Sequence, residues 1–455
     1  MKIQNYKKLV ILFFIGLLST QLMSQSVTNY RRSSLTMVLI ENENLGKNKQ
    51  LVTDSYYAKP FPDKYNNHEI SDKVFSTAAM KLTTKDYLNA GFYKDTLKTM
   101  KEFLSALKQP LNPLRYVTAD SSQAVQEPNP KELLNIYIQK YINEKNLAKQ
   151  TVSSWFDRKP DGTMSWDVIK ERGMYSASAQ AKDAASSTAS AVDYLMDFEL
   201  IGNTYTVFNK MEFFPNEPAA RLIRDAAVQE TTAKLAGKPE VLLTKAIQGI
   251  DAVYEKTKEG YTVICNTYLY QLEWNDSIAK LTNRYFFSDD SDANKQKIWD
   301  TTNLYKMKFV GKTTSSSLVT FKIGEKRTEE QIIDIQVKRT IDNALAKLQK
   351  EYVQFRPVAP VATIEPITAQ IGVKEGVEPG QKYEILEQGF NELGMPVWKS
   401  IGSTTVDKKA PIWDNSIGAE IVLDAAGNPL PTASATTFSN AKKAQVGLHY
   451  IRLIN

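Results

Sequence analysis

The order of apolar and polar positions predicts both strands and long helices in this 455-residue chain. Apolar and polar residues alternate with the two-residue period of a strand in SSLTMVLI and in three later segments, residues 201–214, 260–274 and 304–324. Apolar residues recur every three to four positions, as in a helix, in residues 94–107, 219–257 and 327–355. These elements indicate an α+β fold with a central mixed sheet and long helices.

Capping signals place the starts of two helices. Pro130 suits a first helical turn with Asn129 as its cap, and Thr328 forms a capping box with Gln331. Between them, SSWFDRKPDGTMSWDVI is predicted to form two strands around a tight turn at residues 159–162. The alanine- and serine-rich residues 171–198 are predicted to form a helix lying close to the sheet.

Glycine and proline in IGVKEGVEPGQKYEIL predict a corner and not a phosphate-binding loop. Pro379 and Gly380 suit the central positions of a type II turn, while Gly372 and Gly376 bracket a tight bend. A phosphate cradle opens onto a helix, but this corner opens onto the strand KYEILEQ. The later segments MPVWKSIGSTTV, KAPIWDN and VGLHYIRLI also read as short strands, so a small C-terminal β-barrel or sandwich is expected.

Composition shifts divide the chain into segments. MKIQNYKK, the apolar LVILFFIGLL and the polar STQLMSQS predict a signal peptide at residues 1–24, too short in its apolar part to cross a bilayer. We expect an N-terminal α/β unit (27–108), a linker (109–129), a central α+β domain (130–356) and a small β-barrel domain (361–455). The proline-containing FRPVAPVATIEP is predicted to connect the last two. Alternatively, both proline-rich stretches are long loops within one domain.

Charge and cysteine content narrow the classes of partner. The net charge of +6 falls to +3 without residues 1–24, which carry three lysines and no acid, and the remaining charges are mixed along the chain. Nucleic-acid binding, which needs clustered Lys and Arg, is therefore not expected. The single cysteine, Cys265, excludes an internal disulfide and leaves none at a lipoprotein position. The expected location is periplasmic or outer-membrane-associated, with no integral span after signal cleavage.

Candidate chemistry is sparse. The two histidines, His68 and His449, are interpreted as a surface or turn residue and a strand residue, and no GxSxG, HExxH or CxxC motif occurs. Gly311-Lys312-Thr313 ends like a phosphate loop, but Lys306 stands where its first glycine is needed. Asp289, Asp290 and Asp292 fit a solvated turn better than a calcium loop. We predict no enzyme, no cofactor and no catalytic, cofactor-binding or metal residues; ligand-binding residues stay unknown.

Aromatic residues offer the one alternative. Even spacing puts Tyr268, Tyr270 and Trp274 on one side of a strand, where a buried face is core and an exposed face could stack on sugar rings. Core is the favoured interpretation. Exposure of the tryptophans would separate the two, because clustered exposed rings favour sugar binding. The residues concerned are Trp155, Trp166, Trp274, Trp398 and Trp413.

Two resemblances are visible. IGVKEGVEPGQKYEIL, VWKSIGSTTV and GLHYIRL resemble the small C-terminal barrel of flagellar assembly T-type proteins and related envelope modules. Most of the chain resembles uncharacterised secreted proteins of Bacteroidota, through RSSLTMVLIENE, PFPDKYNNHEI, SSWFDRKPDG, ERGMYSASAQ, LIGNTYTVFN and YLYQLEWND. Both imply an envelope protein without an active site. The expected function is non-enzymatic: to bind or scaffold another envelope component, an envelope protein first and a glycan as the alternative.

Overall fold

The α+β fold class is confirmed: a mixed sheet with helices precedes a closed, six-stranded antiparallel barrel. The structure is a computed structural model that describes residues 33–70, 73–83, 86, 130–176, 198–318, 327–390, 396–416, 433–439 and 444–454. Several predicted segments lie outside the described residues: the signal peptide 1–24, the helix 94–107, the linker 109–129, and much of residues 171–198.

The six-stranded sheet joins the N-terminal segment to the centre of the chain. Its strands are β1 Ser34–Ile40, β2 Asn66–Asn67, β3 Val74–Phe75, β4 Thr204–Pro215, β5 Tyr261–Leu272 and β6 Met307–Leu318. They run in the order β2-β1-β4-β5-β6, with β3 also on β1. β1 is parallel to β2, β3 and β4, while β5 is antiparallel to both β4 and β6. The N-terminal strand therefore belongs to the same sheet as the central strands.

Helices cover both faces of this sheet. The α-helices of the described residues are α1 Lys49–Tyr57, α2 Pro130–Glu144, α3 Leu147–Trp155, α4 Asp167–Ser176, α5 Phe198–Gly202, α6 Glu217–Lys234, α7 Glu240–Thr257, α8 Asp276–Tyr285, α9 Ala293–Thr301 and α10 Glu329–Glu351, of which α6 and α7 pack mainly on each other and not on the sheet. Alternation along β1 sends Leu35, Met37 and Leu39 into the core under α10, and Val38 and Ile40 into the core on the other face. Within the described ranges, no helix combines the length and apolarity needed to cross a bilayer.

The C-terminal barrel is formed by β7 Ala359–Ile364, β8 Ile367–Ala369, β9 Lys382–Phe390, β10 Pro396–Val406, β11 Thr436–Ser439 and β12 His449–Leu453. It closes in the order β10-β11-β8-β7-β12-β9. Val361, Ile385 and Phe438 fill its interior. FRPVAPVATIEP is thus not a linker, because it contains the first barrel strand, in which Pro360 is paired with Tyr450.

Two segments that were predicted to be strands are not strands. SSWFDRKPDGTMSWDVI contains the end of α3 and the start of α4, although the predicted turn is present, with Gly162 N donating to Lys159 O at 2.9 Å. The short run SSWF resembles alternation, but Ala148, Val152 and Trp155 are buried at helical spacing. KAPIWDN forms no strand over residues 409–415; Trp413 instead bonds through its backbone to Val373 N and the Thr436 hydroxyl.

Candidate functional site

The barrel packs against the region formed by the six-stranded sheet and its helices, which we call the body. The contact lies on α10. The IGVKEGVEPG corner forms a 3-10 turn at Val373–Glu375 that lies against α10. Gly376 ends this turn at φ +71°, and a β-carbon there would lie 2.9 Å from Ala346 Cβ. Only glycine allows this approach at a positive φ. The corner is therefore a turn that packs the barrel against α10. We call the contact between residues 59–65, residues 342–349 of α10 and residues 372–376 the seam.

Arg356 fastens the seam through backbone atoms. Its Nε donates to Gln349 O at 2.8 Å and its Nη2 to Lys350 O at 2.8 Å, which are carbonyls at the C-terminal end of α10. Its Nη1 donates to Leu453 O, at the end of β12, at 3.0 Å. A cation at a helix C-terminus also complements the helix dipole. One buried guanidinium therefore ties α10 to the barrel.

Asp342 is the unusual residue of the seam. Its side chain is 3% exposed, and neither carboxylate oxygen has a hydrogen-bond partner among the described residues. Burial raises the pKa of this carboxyl, while Lys374 and Lys59 act in the opposite direction. A buried carboxylate without a direct partner is costly, so Asp342 depends on the field of these two lysines.

Lys59 is the buried cation on the other side. Its Nζ lies 3.3 Å from Pro60 O and 3.8 Å from Met37 Sδ. Burial lowers the pKa of Lys59 to about 8, although Asp342 favours the charged form. The two groups attract each other electrostatically, but Lys59 Nζ contacts Pro60 O and Met37 Sδ and donates no hydrogen bond to Asp342.

Asp63 and Glu375, the other acidic side chains of the seam, have direct partners. Asp63 lies 3.1 Å from Lys64 Nζ and 3.9 Å from Lys374 Nζ. Burial would raise the pKa of Asp63, but Lys64 and Lys374 outweigh it and the pKa is lowered. Glu375 accepts from Gly372 N at 2.7 Å and from Asn415 Nδ2 at 2.8 Å, and burial raises its pKa.

The cavity between these groups is small. It measures about 10 Å³, which is room for about one water molecule. Pro62, Tyr65, Leu345 and Gln349 complete its wall. A space of this size is too small for an organic molecule, and the groups around it pack the barrel against the body.

His68 corrects an interpretation made from the sequence. It is 2% exposed and not a surface residue. Its Nε2 is 2.8 Å from Thr151 O and its Nδ1 is hydrogen-bonded to the Arg172 guanidinium, so the neutral ring donates from Nε2 and accepts at Nδ1. Burial, followed by Arg172, lowers the pKa of His68 to about 3. The burial of His68 could not be predicted from the polar sequence DKYNNHEI, because its partners lie about 80 to 100 positions away.

A helical hairpin between β4 and β5 is largely exposed to solvent. We call α6 and α7 together the arm. Every residue of both helices is described; α7 has no buried residue, and the buried residue of α6 is Ala220. The two helices pack mainly on each other, with Arg224 Nε donating to Asp251 Oδ1 at 2.7 Å and Tyr254 OH to Glu217 Oε1 at 3.0 Å.

The base of the arm is fixed to the sheet. Asn216 Nδ2 donates to Glu259 O at 3.0 Å, and Asn216 Oδ1 accepts from the Thr262 hydroxyl at 2.8 Å. Gly260, at φ +87°, returns the chain to β5. Beyond this base, large apolar side chains face solvent, with Leu222 at 73% and Ile223 at 70% exposure. Such a concentration of exposed apolar residues is typical of an interaction surface.

The aromatic strand is core, as favoured from the sequence. Tyr268 and Tyr270 are buried in the cluster that Trp274 partly joins. All six tryptophans lie in described residues, and each is buried or half-buried. The exposed aromatic side chains of the described residues come from four different elements: Tyr57, Phe214, Tyr285 and Phe309.

The other candidate motifs have structural roles. Gly311, Lys312 and Thr313 lie inside β6, and His449 starts β12. Asp292 caps α9, its Oδ1 accepting from Asn294 N at 2.9 Å and Lys295 N at 3.1 Å. Over the described ranges, no three His, Cys, Asp or Glu side chains are grouped to hold a metal ion.

The sequence contained weak signals for the residues that were missed. Gln336, Thr340, Asp342 and Gln349 are buried polar residues of α10, interrupting an otherwise apolar pattern. In the arm, Leu222 and Val241 fall outside the stripe that packs the two helices together. The chain matches no protein-family model and no curated protein.

Proposed function

We propose that this chain is a non-enzymatic, exported cell-envelope protein that binds or scaffolds another envelope component, and that the arm is its contact surface. The predicted signal peptide supports the location. The observation that carries the function is the exposure of Leu222, Ile223 and Val253 on an arm whose helices pack mainly on each other. Exposed apolar side chains held on a rigid helix pair gain free energy when a partner covers them.

The fixed base of the arm supports a binding role. Asn216 holds both ends of the hairpin to the sheet, so the arm presents its side chains in a defined direction. A preorganised surface loses little conformational entropy on binding. The seam in turn keeps the barrel in place beside α10 through Arg356. Body and barrel can therefore act as one rigid support for the arm.

Glycan binding through exposed aromatic residues has less support. A sugar platform needs adjacent exposed rings, and each tryptophan is buried or half-buried. The exposed aromatic residues of the described chain are distributed over separate elements. A protein partner on the arm fits the exposed surface better.

Photo-crosslinking in intact cells of the native host tests this function. A crosslinking amino acid replaces Leu222 or Val253 in the arm, and Ile364 in the barrel serves as the control because it is also exposed. We expect the same envelope protein to be captured from both arm positions and not from position 364. Mass spectrometry identifies it, and adding Leu222→Glu to the chain that carries the crosslinker at position 253 should reduce the capture, because it puts a charge into the apolar contact.

The contrary result is equally definite. If neither arm position captures a protein while a purified envelope polysaccharide binds the chain tightly, the contact function is wrong. Turnover of any substrate by the purified chain would contradict the non-enzymatic part of the proposal.

A further inference from the structure

The cavity of the seam is bordered by two charged groups that attract each other without a direct hydrogen bond. Asp342, on α10, and Lys374, on the barrel corner, both line it. Burial raises the pKa of Asp342, and among the charges around it Lys374 opposes this most strongly. Neither Asp342 oxygen has a hydrogen-bond partner among the described residues. Lys374 Nζ lies 3.9 Å from Asp63 Oδ1, which is too far for a hydrogen bond.

The cavity suits a water molecule in both size and polarity. Its volume of about 10 Å³ admits one water. Buried waters lie where polar groups lack partners, and each typically makes about three hydrogen bonds. Tyr65, Gln349 and Glu375 add further polar side chains to the wall. A cation bound here meets the positive charges of Lys64 and Lys374, so a neutral ligand fits better.

We propose that this cavity binds one water molecule, which accepts a hydrogen bond from Lys374 Nζ and donates one to the Asp342 carboxylate. A polar contact that is too long for a direct hydrogen bond can be completed in this way, and a bridging water is nearly as favourable in enthalpy as a direct bond. The water gives Asp342 the partner that no described side chain supplies. It joins α10 to the barrel corner beside the direct hydrogen bonds of Arg356.

A high-resolution crystal structure of the mature chain tests the site directly. We expect one ordered water at roughly 2.7–3.2 Å from both Asp342 and Lys374 Nζ. Crystals soaked in thallium(I), a probe for monovalent cations, should show no anomalous peak in the cavity. A direct contact between Asp342 and Lys374 with no water between them overturns the inference. A thallium peak at the site overturns it as well.

Two variants at position 342 test the same site in solution. Asp342→Asn keeps an oxygen acceptor in a side chain of the same shape, whereas Asp342→Leu removes both acceptors. X-ray radiolytic labelling reports buried water, because radicals formed from the bound molecule modify adjacent side chains. Tyr65 borders the cavity and is 2% exposed. Tyr268, which is 1% exposed in the core on the other face of the sheet, is the matched control.

Tyr65 should be labelled several-fold faster than Tyr268 in the wild-type and Asp342→Asn chains. In the Asp342→Leu chain its rate should fall to that of Tyr268. Circular dichroism confirms that each variant is folded. Equal labelling of the two tyrosines in the wild-type chain shows a dry seam and overturns the inference. Unchanged labelling of Tyr65 in a folded Asp342→Leu chain shows that Asp342 does not hold the water, and contradicts it too.

Discussion

The seam and the arm differ in what they bury. At the seam, the ionisable side chains of Lys59 and Asp342 are enclosed between three parts of the chain, and neither Asp342 oxygen accepts a hydrogen bond from Lys59. On the arm, apolar Leu222 and Ile223 face water, while the charges of Arg224 and Asp251 pair on the surface. Burying the ionisable groups of the seam costs free energy, and the packing of the surrounding side chains offsets this cost. A surface that leaves apolar area exposed gains from a partner.

The largest expected effect is the loss of folding stability in acid. It should come from a buried side chain, His68, and not from the exposed arm. The pKa of His68 is lowered to about 3, against 6.5 for the free side chain. Between these values the unfolded chain binds the proton and the folded chain does not, so stability is lost as pH falls from 6.5 toward 3. The His68 contribution to the free energy of unfolding should fall by up to about 4 kcal/mol.

Urea titrations at several pH values measure this loss. His68→Gln, which keeps an amide donor for Thr151 O, should flatten the curve between pH 6.5 and 3. The control Glu230→Gln removes an exposed ion pair of the arm and should leave the curve unchanged. Equal flattening in both variants would show that buried joints do not dominate the pH response.

Packing at the corner should give the next largest effect. A β-carbon on Gly372 would overlap the backbone carbonyl oxygen of Trp413, which cannot move without breaking its bond to Val373 N. Gly372→Ala should lower the free energy of unfolding by about 2–3 kcal/mol. The control is Gly389→Ala in β9, where a β-carbon meets no atom within 4 Å. If both variants unfold at the same urea concentration, the corner is not tightly packed.

Lys59→Met should stabilise the seam. The pKa of Lys59 is lowered to about 8 from 10.5, so the folded chain disfavours the charged lysine and stability rises as pH increases from 8 to 10.5. Removing the charge should raise the free energy of unfolding at pH 7 by about 1–2 kcal/mol, since Asp342 loses one favourable lysine at the same time. The rise between pH 8 and 10.5 should disappear.

Lys347→Met serves as the control, because Lys347 lies on α10 in an exposed pair with Glu351. It should change stability by less than about 0.5 kcal/mol. A Lys59→Met chain that is less stable than wild type would mean that Lys59 compensates the charge of Asp342 more than its own burial costs.

Local patterns predicted much of the fold and little of the candidate sites. β1, β5 and α10 were predicted correctly because their signals are local. These signals are the alternation of a strand, the three-to-four-residue spacing of a helix and the Thr328 capping box. The first barrel strand was missed because Pro357 and Pro360 read as a break, although closure of the barrel pairs Pro360 with Tyr450. The outcome there depends on residues about 90 positions away.

The candidate sites depend on contacts that no local pattern contains. Asp342 meets Lys59 and Lys374 only when three parts of the chain converge. In the arm, the helices were predicted at residues 219–257, but their exposure follows from which neighbours the fold supplies. Periodicity identifies an apolar residue, whereas tertiary structure decides whether it is covered.

Gly249→Ala should produce the smallest effect. It tests whether the arm has a local stability of its own, separate from that of the sheet. Gly249 lies inside α7, and a β-carbon there meets no atom within 4 Å. Alanine is favoured over glycine in a helix interior by about 0.5–1 kcal/mol, so α7 should open less often by that amount.

Hydrogen exchange of the α7 amides reports this local opening. Exchange in α7 should slow by about twofold to fivefold, while amides of β5, which are held in the sheet, keep their rates. If β5 slows to the same extent, the arm opens together with the sheet. It would then be part of one cooperative unit with the body, and the arm would have no independent stability for a partner to increase.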